Sequence, residues 1–355
     1  MKAALLYIPA LLLVMAGCAE REDAAIREET VPVHFRIGTG SPGSLAASED
    51  EMAVNNLQMM VFDAEDSLIV DYVRFDDLSR TPSIRIEKNK ERIVYAAANI
   101  PDDFGDVSSI ADLCSRTVAY RNESLGNMQM MGNVSVCAGH ETTVNLSLKR
   151  FVAKISMNGY RMRTSCTNNC VPEMKRICLL AIPERCYCDF SEYSDQYFNI
   201  SEGLTEKDLP FAEIFNPPDH IDEYEFLTSD QSFTFYGYPN SIQEYGNNKY
   251  PRLALVCIGT YHRNNSSVTS YCYHILGLSL PPLESNLEYR IIEVITFSYG
   301  PNISITPGDH PVRPGFLTQA LEEEPLYVEV RDMSTGLLTG TYPIKDITYY
   351  EEHIE

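Results

Sequence analysis

The chain is predicted to be all-β, with two β-sandwich domains in tandem, and three observations carry that prediction. Apolar and polar residues alternate over many short stretches, while helical periodicity is nearly absent. In Val144 to Met157 the apolar phase changes parity: Val144, Leu146 and Leu148 are even, whereas Phe151, Ala153, Ile155 and Met157 are odd. A one-residue slip sends every side chain to the opposite face, so one flat strand cannot bury both sets in one core. This stretch therefore reads as the end of one domain and the start of another, divided at Lys149; a bulge in one long strand is the other reading. Finally, 355 residues with 44% apolar content supply material for two cores.

Met1-Lys2 precede an apolar run, Ala3 to Met15, that ends in Ala16-Gly17-Cys18. The run is too short to span a bilayer and has the form of a secretory signal, residues 1–17. Its end resembles a bacterial lipobox, which implies that Cys18 becomes the acylated first residue of the mature chain; ordinary cleavage nearby is the alternative. Acyl chains there would anchor the protein, since each buried methylene contributes about 0.8 kcal/mol. Residues 18–29 form a polar, acidic tether whose Ala19-Glu-Arg-Glu-Asp23 resembles tags that send such lipoproteins to the outer face of the outer membrane. A formal net charge of −22 repels phosphate, which makes nucleic acid and anionic headgroups poor partners.

The first domain, 30–148, opens with Thr30 to Ile37, where Val31, Val33, Phe35 and Ile37 alternate with Pro32, His34 and Arg36. This is a half-buried strand, and the proline favours an edge position. Gly38-Thr-Gly-Ser-Pro-Gly43 formally matches a dinucleotide-binding loop, but Pro42, the acidic Ser48-Glu-Asp-Glu51 and the lack of a βαβ succession argue for a flexible connection. Further strands are predicted over Asn56–Phe62, Leu68–Phe75, Ile84–Ile86, Arg92–Asn99, Val134–Val136 and from Thr143. A short helix is expected between Val107 and Leu125, capped by Ser108 or Ser109. The methionines of Met128-Gln-Met-Met131 read as core filling.

Taken in order, these residues resemble the fimbrillin superfamily, the subunits of type V pili. The resemblance runs through Cys18, Val31 to Ile37, Asn56-Leu-Gln-Met-Met-Val-Phe-Asp63, Ile93-Val-Tyr-Ala-Ala-Ala-Asn99, Met130-Met-Gly132 and Leu148-Lys-Arg-Phe-Val-Ala-Lys-Ile155. It continues more faintly through Phe233 to Tyr238 and Glu288 to Thr296. It implies two transthyretin-like Greek-key β-sandwich domains. In the family's stalk pilins, a protease cuts after Arg or Lys in the loop following the first strand, and a neighbouring subunit's strand fills the groove that opens. This chain departs from that pattern, because no Lys or Arg occurs from Ile37 to Val73. The resemblance therefore implies a retained first strand, as in the family's anchor subunits, with homologous pilins as partners.

The second domain, 149–355, carries Cys166, Cys170, Cys178, Cys186 and Cys188, a spacing that matches no zinc pattern. Disulfides or simple burial are expected for them, and no metal or cofactor. Mirroring about Asn264-Asn265 sets Cys257 opposite Cys272, a register that would allow a cross-strand disulfide; a different register leaves both thiols reduced. Ser191 to Asp230 reads as irregular insertions, Leu287 to Phe297 and Leu326 to Val330 as strands, and Tyr342 to Glu355 as a terminal strand or a frayed end. The seven histidines are scattered and no catalytic motif appears, so no enzyme is expected. The expected role is a lipid-anchored accessory subunit of a surface fimbria. A stalk or tip adhesin is one alternative. A surface glycan-binding lipoprotein, with aromatics at Phe233–Tyr238 or Tyr187–Tyr197 on a shelf, is the other.

Overall fold

The computed structural model describes residues 29–39, 48–157, 160–164, 170–179, 182–193, 197–198, 226–229, 233–241, 253–262, 269–278, 280–291, 295–299, 327–343 and 347–354. Cys18, the signal, Cys166 and most of Ser191–Asp230 lie outside these residues.

The described chain is dominated by strands. The amino-terminal half holds β1 (Thr30–Gly38), β2 (Leu57–Asp63), β3 (Ile69–Phe75), β4 (Ser83–Glu87), β5 (Glu91–Ala98), β6 (Thr117–Ala119), β7 (Met130–Cys137), β8 (Thr142–Ser147) and β9 (Lys149–Arg150). Two short helices interrupt them, α1 (Glu49–Met52) and α2 (Ile110–Ser115). The carboxy-terminal half begins with β10 (Ala153–Met157), β11 (Tyr160–Thr164), β12 (Cys170–Leu179), β13 (Ile182–Pro183), β14 (Arg185–Tyr187) and β15 (Tyr197–Phe198). It continues with β16 (Phe226–Ser229), β17 (Phe233–Gly237), β18 (Leu253–His262), β19 (Thr269–Leu278) and β20 (Leu287–Ile291). The last strands are β21 (Ile295–Tyr299), β22 (Tyr327–Asp332), β23 (Leu338–Pro343) and β24 (Ile347–Ile354).

In the amino-terminal half, the three-stranded sheet β4-β1-β8 and the five-stranded sheet β3-β2-β5-β7-β9 contribute to one core. Gly132 marks where they meet: a Cβ there would stand 2.1 Å from the Ser147 carbonyl, so β7 can pass β8 only without a side chain. β2 is buried along both faces rather than alternately, because Gln58 on its outer face donates to the carbonyls of Ile100 and Asp102 and holds that segment over the sheet. The expected helix shrinks to α2, capped by Ser109. Beyond it the chain becomes β6, which pairs with β14 of the other half.

The carboxy-terminal half repeats one pairing rule. β1 lies antiparallel to β4 and parallel to β8; β10 lies antiparallel to β17 and parallel to β20; β11 lies antiparallel to β16 and parallel to β21. Each half thus opens with a strand slotted between one antiparallel and one parallel neighbour. The stretch read as Leu287 to Phe297 is two strands in different sheets, β20 and β21. The tail forms β24, paired antiparallel with β19.

The parity change falls where the sequence puts it, with one correction. Leu146, Leu148, Phe151, Ala153, Ile155 and Met157 are all buried. β9 pairs with β7, however, so the chain leaves the first set of sheets after Arg150 rather than after Leu148. A bend at Phe151-Val152 breaks the two-residue repeat and lets Arg150, Phe151, Val152 and Ala153 all turn inward.

Candidate functional site

β1 and its seat are the first part of the site. Val31, Val33 and Phe35 are buried and Ile37 is half-buried against the same core. Full burial is worth about 1.5–3 kcal/mol per side chain, so Val33 and Phe35 hold the strand in place by about 3–6 kcal/mol. The strand is not at an edge, as Pro32 had led us to expect. It is central, but its two partners are staggered: β4 pairs with Thr30 to His34, and β8 with Val33 to Gly38. The Phe35 amide donates to the Pro82 carbonyl. Amides alternate sides along a strand, so the donor-less nitrogen of Pro32 faces away from β4, toward ground that β8 does not reach. A central strand thus tolerates the proline.

Contacts tie the end of β1 to α1. Thr39 Oγ1 donates to the Met52 carbonyl, and Ser48 and Glu51 form a reciprocal capping box at α1. Glu51, seen in the sequence only as part of an acidic stretch unfavourable to a pyrophosphate, is fully buried. Its carboxylate accepts from the Tyr236 hydroxyl at 2.7 Å and lies 3.0 Å from Lys154 Nζ. Burial alone would raise its pKa, but the Ser48 amide, Lys154 and Tyr236 outweigh it and hold the carboxyl below its ordinary value.

Arg150 is the counterpart on β9, just before the bend at Phe151-Val152. It has no exposed surface, and its Nε donates to the Glu51 carbonyl at 2.8 Å while Nη1 reaches Asn286 Oδ1 at 3.3 Å. Desolvation lowers its pKa, with Glu51 acting against that. Asn286 sits at φ 62°, in the left-handed region that asparagine tolerates, and its Nδ2 donates to Ser334 Oγ. α1, β9 and the turns at 286 and 334 are thereby tied in one cluster.

A second polar cluster lies in the same joint. Glu123 is buried, accepts from the Gln129 amide at 2.9 Å, and accepts from the Tyr238 hydroxyl at 3.0 Å. Burial pushes its pKa up to about 8, despite those donors and the Gln129 side chain. Tyr120 donates to the Tyr236 carbonyl at 2.7 Å and packs edge-on against Tyr238. Neither cluster was visible as a site in the sequence; the S-x-x-E spacing of Ser48 and Glu51 was the one local signal.

The remaining candidates fall out as follows. β18 and β19 pair in another register, with His262 opposite Thr269, so that Cys257 faces His274 and Cys272 faces Gly259. The directly opposed cysteine pair is therefore corrected. Cys186 and Cys188 are buried free thiols, as are the half-buried Cys114 and exposed Cys137 free ones. Burial raises Cys188 to about 12, which makes it unreactive. Phe235, Tyr236 and Tyr238 are buried, so they form no sugar-stacking shelf. Tyr187 and Tyr193 are half-buried against one another with centroids 5.4 Å apart.

Two solved structures align with nearly the whole chain. A protein assigned to cell adhesion from Bacteroides eggerthii is 14% identical, with a TM-score of 0.54; the match covers 90% of this chain and 97% of that one. A protein likewise assigned to cell adhesion from Parabacteroides distasonis is 14% identical, with a TM-score of 0.50, covering 89% and 96%. A fimbrilin from Porphyromonas gingivalis is 12% identical over 81% of this chain and 94% of that one, with a TM-score of 0.47. The chain shares its fold with the two cell-adhesion proteins. No family model and no curated relative matches the sequence.

Proposed function

We propose that the protein is a non-enzymatic accessory subunit of a cell-surface fimbria, built from two tandem transthyretin-like Greek-key sandwiches. It is anchored in the outer membrane through an acylated Cys18, and it engages neighbouring pilins by strand complementation. The observation that carries this reading is β1. Val33 and Phe35 are fully buried between β4 and β8, and no Lys or Arg occurs from Ile37 to Val73 for a trypsin-like enzyme to use. Arg36, the nearest basic residue, lies inside the paired strand opposite Asn145. A subunit that keeps its first strand keeps its own groove filled, and it accepts no donor there. Association with pilins must then use another edge or a strand that this chain donates, for which the terminal β24 is placed at the edge of its sheet.

The nearest competing reading, a stalk or tip adhesin, differs at the mature amino terminus. Mass spectrometry of the protein taken from cell surfaces is expected to find an acylated Cys18 as first residue. A first residue beyond Gly38 would show that β1 is removed and would end the anchor reading.

A further inference from the structure

β23 closes one edge of the five-stranded sheet β17-β10-β20-β22-β23, and among the described residues no strand lies beyond it. Both its faces are open. Leu337 is 68% exposed, Leu338 50%, Tyr342 45%, and Tyr327 on the neighbouring strand 39%. From Leu337 to Pro343 the segment reads L-L-T-G-T-Y-P, without one charge, in a chain of net charge −22. Exposed edges are ordinarily blunted by charged side chains or covered. The edge strand β3 follows that rule, with exposed Asp71 and Arg74. β23 does not.

The segment is also complementary to itself. Laid antiparallel against a second copy about Gly340, Leu338 of each copy faces Tyr342 of the other, Thr339 faces Thr341, and the two glycines face one another. Aliphatic–aromatic and Thr–Thr cross-strand pairs are favourable, and no like charges are opposed. Gly340 suits the centre of such a pairing because the Tyr342 ring already folds over it, 2.7 Å from where a Cβ would stand.

We propose that the protein self-associates through β23, edge to edge with a second copy, in the antiparallel register centred on Gly340. The contact is isologous and joins the two sheets into one. It is one strand wide and therefore weak and concentration-dependent. The acidic bodies on either side repel, so salt strengthens it. This proposal does not rest on the fimbrial reading or on the fate of β1.

Analytical ultracentrifugation of the full chain carrying Cys18→Ser, over a range of protein and salt concentrations, tests it. The mass is expected to climb from one copy to two as protein and salt rise. Thr339→Lys with Thr341→Lys sets ammonium against ammonium in both cross-strand pairs and should abolish the dimer. Thr339→Lys with Thr341→Glu sets ammonium against carboxylate in the same pairs and should restore it. Both double variants lose the bond from Thr339 Oγ1 to the Val330 carbonyl, so they differ only in the sign of the facing charges. A wild-type chain that stays monomeric throughout, or two double variants that dimerise alike, would overturn the proposal.

Discussion

The joint between the two halves holds two buried carboxyl groups, and they are stabilised in opposite ways. Glu51 keeps its charge: Lys154 lies 3.0 Å away, Tyr236 donates to it, and Arg150 binds its backbone carbonyl. Among the described residues Glu123 has no cation as a hydrogen-bond partner, and burial favours its neutral form up to a pH of about 8. A buried acid can thus be satisfied by a counter-charge or by giving up its own. The charged solution ties α1, and so the chain just after β1, to the second half. The neutral one pins the η turn at Tyr120–Asn122 and the start of β7 to Tyr238. Of the two clusters, the first lies at α1, where Thr39, just after β1, donates to the Met52 carbonyl.

Removing the charge of Glu51 should therefore have the largest effect. Glu51→Gln removes the carboxylate that faces buried Arg150 and half-buried Lys154. Breaking a buried pair costs about 3–5 kcal/mol, and we expect about 3 because Glu288 remains 4.0 Å from Lys154. Chemical denaturation at neutral pH measures it. A loss below about 1 kcal/mol, the scale of exposed ion pairs, would show that the cluster is no more than a surface salt bridge.

The same contrast explains what the sequence could and could not reveal. Val31 to Ile37 and Leu146 to Met157 were legible because a two-residue repeat reports a sheet face directly, whatever lies opposite. That β1 is central was not legible, because a staggered pair of neighbours leaves no local trace around Pro32. The burial of Glu51 was not legible because its partner Tyr236 is 185 residues away, and a capping box beside two further acids shows locally only as negative charge. Arg150 was hidden for the same reason: a Lys-Arg pair at a parity change resembles a polar turn. The Cys257 register failed because moving the axis about which two strands mirror by one residue moves every partner by two, from Cys272 to His274.

Stability against pH should separate the two acids next. The raised pKa of Glu123 means that the folded chain holds a proton which the unfolded chain releases above about 4.5. Its contribution is whole below that pH and is lost as pH rises through about 8. Glu51 runs the other way: its contribution is present above 4.5 and is lost as pH falls through its lowered folded value. Melting temperature followed over pH should show a decline toward alkaline pH that Glu123→Gln flattens and Glu51→Gln leaves in place. If Glu123→Gln leaves the alkaline decline intact, the neutral description of that cluster fails.

The smallest effect tests whether the neutral cluster joins the halves or merely sits between them. Tyr120 reaches across with a single hydroxyl, donated to the Tyr236 carbonyl at 2.7 Å. Tyr120→Phe keeps the ring and its edge-on contact with Tyr238, whose centroid is 5.3 Å away, and removes the hydroxyl that makes that bond. A net hydrogen bond is worth about 1 kcal/mol, so global stability should fall by about that much. Amide exchange gives the sharper readout. The Tyr120 amide donates to the Glu184 carbonyl, and the Cys188 amide to the Arg116 carbonyl, so both bonds cross the joint. If the hydroxyl helps to hold the joint, exchange at these amides should quicken together while β2 and β5, inside the first half, stay protected. Exchange that rises equally everywhere would instead mean that the hydroxyl acts on the first half's core, and that the charged cluster around Glu51 carries the connection alone.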